Sequence, residues 1–102
     1  MTIKERQIAM QTQDILAQLR DYFNEVSDKS GDSFRRIEEK SGFPVTDMLN
    51  FKIHIGATVL KRFHEVYTGV VNWSSYDKLL GYIIQYDSLF TASRRSTKKQ
   101  KT

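Results

Sequence analysis

The stretch SFRRIEEKSGFPVTDMLNFK, Ser33 to Lys52, constrains the fold more than any other part of the chain. It contains the only proline, Pro44, just after Gly42 and Phe43, with an amphipathic segment on either side. Glycine takes the left-handed backbone that ends a helix, and proline has the fixed φ that suits a helix's first turn. One helix therefore closes at Gly42 and another opens at Pro44. The chain must turn a sharp corner between two short helices.

The flanking segments extend a helical pattern in both directions. Apolar residues Ile8, Ile15, Leu19, Phe23 and Val26, with Thr12 between, alternate three and four apart, which draws one stripe along a long helix from about Lys4 to Val26. Its polar start, through Gln13, is expected to fray, and SDKSGD at Ser27–Asp32 ends it. A second helix opens at Asp32 or Ser33 and places Phe34 and Ile37 inward. The third is expected over Val45–Ile55, with Met48, Phe51 and Ile55 on its inner face. Thr58 caps a fourth helix carrying Val59, Leu60, Phe63, Val66 and Tyr67, which Gly69 ends. VVNWSS then crosses in extended form, with Trp73 as a plug at the core edge or, alternatively, as an anchor for a partner or a ring stacked on a sugar-phosphate backbone. Ser74 or Ser75 caps a fifth helix that carries Tyr76, Leu79, Leu80, Ile83 and Ile84 and runs to about Phe90. The expected fold is all-α, a bundle of about five helices in one domain, residues 1–93.

Charge is distributed unevenly. The net charge is +4, yet Arg94–Thr102 (RRSTKKQKT) holds five basic residues and no acid. The remaining body carries 11 basic against 12 acidic groups, a net of −1. The basicity is thus a tail at 94–102, expected to be disordered and suited to a polyanion. With no cysteine, disulfides and thiolate metal sites are excluded, which agrees with a reducing compartment. No apolar run of about 18 residues marks a membrane span and no charged-then-apolar leader is seen, so a cytoplasmic location is expected.

The corner has the spacing of a known motif. Ile37 lies five before Gly42, Phe43 follows it, and Met48 and Phe51 lie six and nine beyond. Over about 20 residues, roughly 33–55, this resembles the helix-turn-helix of phage repressor and Cro-type proteins. It departs at Glu38, where that family usually has Ala, and at Ser41, where an apolar residue is usual. The resemblance implies a sequence-specific DNA-binding protein, most plausibly a transcriptional repressor of phage, plasmid or bacterial origin. It implies Val45–Ile55 as the recognition helix in the major groove of double-stranded DNA, with Val45, Thr46, Asn50 and His54 toward the bases and Asp47 also outward. Arg35, Arg36 and Lys52 would hold phosphates, joined by Arg94, Arg95, Lys98, Lys99 and Lys101 from the tail. Two half-sites imply a homodimer, paired through the long first helix or the aromatic last one.

A second register places the corner at HIGAT, with Thr58–Tyr67 as the reading helix and Lys61, Arg62 and His64 exposed; its Phe63 lies seven beyond Gly56. The alternative from another class is a helical protein–protein interaction module, an inhibitor or adaptor that uses exposed aromatics. His54 and His64 are ten apart without a carboxylate at ligand spacing, and no glycine-rich phosphate loop or nucleophile–base pair stands out. No metal, cofactor or small-molecule substrate is expected, and the chain reads as a non-enzyme.

Overall fold

The computed structural model describes residues 2–101, with side chains through Arg94. Its elements are α1 (Ile3–Ser30), α2 (Phe34–Ser41), α3 (Val45–Leu49), α4 (Ala57–Val66) and α5 (Trp73–Lys101). No strand occurs among the described residues. The all-α, five-helix expectation is met.

Local chemistry accounts for the first two helices. Thr2 Oγ1 accepts from the Glu5 N–H at 3.1 Å, so α1 opens at Ile3 and its polar start is helical. Gly31 closes it at φ 77°, donating to the Ser27 carbonyl. Ser33 caps α2 by accepting from Arg36 N–H, and Gly42 closes that helix at φ 74°. An L-residue there would bring its Cβ against the following carbonyl. Ser41, almost fully buried, gives its hydroxyl to the Ile37 carbonyl at 2.6 Å and accepts the Phe43 N–H at 3.2 Å. A hydroxyl serves where an apolar side chain was expected, because its polar atom is satisfied.

The next turn directs Phe43 into the centre. Phe23 from α1, Phe43 from the corner and Phe63 from α4 have ring centroids 5.0, 5.3 and 5.5 Å apart, and each is fully buried. Ile15, Leu19, Ile37, Met48, Leu79 and Ile83 belong to the same buried cluster as this triangle.

α1 and α5 have 28 and 29 residues, each about 42 Å long at 1.5 Å per residue. The molecule's longest dimension is 47 Å, and Tyr22 of α1 reaches Ser75 at the start of α5, 3.0 Å between hydroxyls. Only an antiparallel, side-by-side pair fits both facts.

Four expectations are corrected. The third helix stops at Leu49 instead of Ile55. Phe51 there takes φ 57°, which sets its ring 5.3 Å from both Tyr86 and Phe90 of α5. The Tyr86 hydroxyl donates to the Ile53 carbonyl at 2.6 Å, and Ile55 N–H donates to Asp87 at 3.3 Å. Packing and hydrogen bonds to α5 outweigh the helical periodicity. Second, α4 has Gly56 at its N-cap, two residues before Thr58 and without a capping side chain. Third, α5 starts at Trp73, because Asn72 Oδ1 accepts the Ser75 N–H at 2.8 Å, and Ile84, off the buried stripe of Leu79, Ile83 and Tyr86, is 70% exposed. Fourth, α5 passes Phe90 and its backbone is helical to Lys101. The side chains of Arg95, Lys98, Lys99 and Lys101 lie outside the described residues.

Two tyrosines pin the loops. The Tyr67 hydroxyl donates to Asp32 at 3.0 Å, and Lys40 reaches the same carboxylate oxygen at 2.9 Å, so the ends of α1, α2 and α4 meet. The Lys40 bond, and then Tyr67, holds the Asp32 carboxyl below its ordinary range. Burial, reinforced by Asp32, pushes Tyr67 up to about 12, and burial does the same to Tyr86. A phenol whose folded pKa is raised stabilises the fold fully below its ordinary value of 10.0 and loses that contribution as pH climbs toward about 12. Urea midpoints measured over that window should fall, and Tyr67→Phe should flatten the decline. Phe43→Ala should cost roughly 3–5 kcal/mol of unfolding free energy in a denaturant titration, since a central ring leaves a cavity on three sides.

Candidate nucleic-acid interface

The α2–α3 corner is where the sequence places its reader, and α3 forms it as little more than one turn. Val45, an expected base contact, is instead fully buried. Pro44 at φ −80° and ψ 71° enters the helix so that Val45 joins Met48 and Leu49 on the inner face. Thr46, Asp47 and Asn50 remain exposed. His54 is not on this helix at all: it stands beside α5, 3.6 Å from Asp87 and 6.4 Å from the Phe90 ring. The expected base-contact set therefore divides, with Thr46 and Asn50 together and the other two elsewhere.

The entrance to α3 is capped from a distance. Pro44 offers no capping side chain, and Glu38 of α2 accepts the Thr46 N–H at 2.7 Å instead. Glu38 is half-buried and hydrogen-bonded, so the residue that departed from the helix-turn-helix pattern braces one helix of the corner against the other. Its charge also sits at the helix end that would face a phosphate, with Asp47 one residue along. Asn50 donates its amide to the Thr46 carbonyl at 3.0 Å, leaving its own oxygen free as an acceptor at the corner's outer side.

The expected phosphate contacts among the described side chains fall into four groups. Arg35 and Arg36 lie at the start of α2, and each approaches Glu39 at 3.4 Å, so both share one carboxylate. Lys52 is exposed in the loop after α3. Lys61 and Arg62 are exposed on α4, away from that loop in sequence but on a single helix. Arg94 lies over the Phe90 ring at 4.9 Å.

One exposed group departs from the first of its two expected roles. Trp73 is 73% exposed rather than a plug, beside His64 of α4 at 4.6 Å between rings. His64 lies face to face with Tyr76 at 4.4 Å and 15°. Tyr67 and Tyr86 pack elsewhere, on Phe63 and on Phe51 and Phe90. The available signal was NWSS: Asn caps at least as well as Ser, and choosing Asn72 puts Trp73 at the first helical position, off the buried stripe. Among the described residues no cluster could hold a metal ion, and no helix is long and apolar enough to cross a membrane.

No family model matches the chain, and no curated protein or solved structure matches it either. What can be said of its class comes from the fold: an all-α protein of five helices with a glycine corner between α2 and α3.

Glu38→Ala should lower stability by about 1 kcal/mol, the usual worth of a helix cap, while Glu39→Ala should change it little. Urea unfolding of the two variants side by side measures the difference.

Proposed function

We propose that this chain is a non-enzymatic DNA-binding protein, a small transcriptional repressor of phage, plasmid or bacterial origin acting in the cytoplasm. The observation that carries the reading is the corner: Gly42 at φ 74° with Ile37, Phe43 and Met48 fully buried behind it, and Thr46 and Asn50 exposed in front. That arrangement presents the outer side of α3 to a groove, where Asn50 reads a base edge and Thr46 a second edge or a thymine methyl. Arg35, Arg36 and Lys52 then contact phosphates and set the register. The helix is short and carries Asp47, so one copy binds weakly; a homodimer on two half-sites offsets this.

A second reading, a helical protein-interaction module, is favoured by the exposed Trp73 and by the burial of Val45. Titration with random-sequence duplex at low salt separates the two. A DNA reader keeps substantial affinity when residues 94–102 are deleted, whereas an adaptor loses all of it with the tail. Asn50→Ala should relax base preference at a single operator position and cost roughly 1–3 kcal/mol of binding. Unchanged operator affinity in that variant would remove α3 as the reader.

A further inference from the structure

Away from the corner, one exposed cluster is assembled from two helices. His64 of α4 stacks on Tyr76 of α5 at 4.4 Å and holds Trp73 at 4.6 Å and 42°. Trp73 and Tyr76 are 6.1 Å apart, so His64 stands at the corner of a three-ring triangle. The Asn72 cap fixes the backbone at the first residue of α5, so the indole is held on its support yet stays 73% exposed. A propped ring with an open π surface is a stacking site, and any base can occupy such a site.

Charge sharpens the choice of ligand. Lys61 lies one helical turn before His64 on α4, and Arg62 follows it, both exposed. The carboxylates on the same stretches are Glu65 and Asp77, and Lys78 is already placed over the Tyr82 ring at 5.9 Å. Lys61, three residues before His64, shares its face and can serve one phosphate, whereas Arg62, two residues before it, falls on the far side of α4, and the two acids keep the attraction weak. We propose that the Trp73–His64–Tyr76 triad is a stacking platform for an unpaired base of single-stranded DNA, with Lys61 at the neighbouring phosphate. The choice of DNA over RNA rests on the DNA-binding reading above; the platform does not depend on α3.

Trp73 is the chain's single tryptophan, so its fluorescence reports the site directly. A short oligothymidylate should quench it, and an abasic strand of equal length and charge should not. The salt dependence should be shallow, with a slope of about −0.7 for one phosphate contact on a single strand. By anisotropy of a labelled strand, Trp73→Ala should weaken binding about tenfold and Trp73→Phe should recover most of it, with helical circular dichroism unchanged. Asn50→Ala should leave strand binding intact, and Trp73→Ala should leave duplex binding intact, so failure of one site is distinguishable from failure of the other. Absence of quenching, equal quenching by the abasic strand, or unchanged affinity in Trp73→Ala overturns the platform. Tighter binding of oligouridylate than of oligothymidylate overturns the assignment to DNA.

Discussion

The contact of Phe23, Phe43 and Phe63 is the constraint on which the other packing depends. Each ring comes from a different part of the chain: the middle of α1, the corner, and α4. No helix contributes two, so none of these elements can place its ring without the other two being in position. Rings at such separations contribute roughly 0.5–1.5 kcal/mol per pair beyond their buried area. The corner's geometry follows from this. Gly42 must be left-handed because only that turn directs the next side chain, Phe43, between α1 and α4. A corner chosen for a bulky inward ring also leaves the following helix shallow, which is why Val45 goes in with it.

Most of the architecture was legible because it is written in local chemistry. The apolar stripe of α1, the Ser33 cap and the two left-handed glycines each depend on a few adjacent residues, and the structure places them as read. What failed was decided at long range. The pattern Met48, Phe51, Ile55 is helical by spacing, but Phe51 is drawn onto α5 and two hydrogen bonds to Tyr86 and Asp87 fix the loop there. No window centred on α3 contains those partners. Trp73 failed for a smaller reason. Asn72, Ser74 and Ser75 could each cap α5, and with Asn72 as the cap Trp73 becomes the first helical residue, on the exposed side.

Glu38 shows how a departure from a motif can be a structural part. An alanine at that position would allow the two helices of the corner to cross closely. Glu38 instead stands between them with its carboxylate on the Thr46 N–H. The corner thereby gains a brace, and its outer surface becomes more acidic. Arg35 and Arg36 are likewise drawn toward Glu39. In the proposed complex, phosphates must compete with Glu39 for both arginines, so the free energy of docking is reduced by the pairs that are released. Exposed pairs of this kind contribute only a few tenths of a kcal/mol up to about 1, which a phosphate contact can replace.

The loop from Asn50 to Gly56 also ties the candidate reader to α5. Tyr86 and Asp87 hold Ile53 and Ile55, and Phe51 packs on Tyr86 and Phe90, so the exit of α3 is fixed to the middle of the longest helix. Two residues from Tyr86, on the outer side of that helix, Ile84 is 70% exposed. A second copy seated on this outer face would touch the element that positions α3, with no flexible connection between. In the proposed homodimer the spacing between two readers would then be set by α5 as a rigid body. The loop bonds that shortened α3 would be the same bonds that transmit its position.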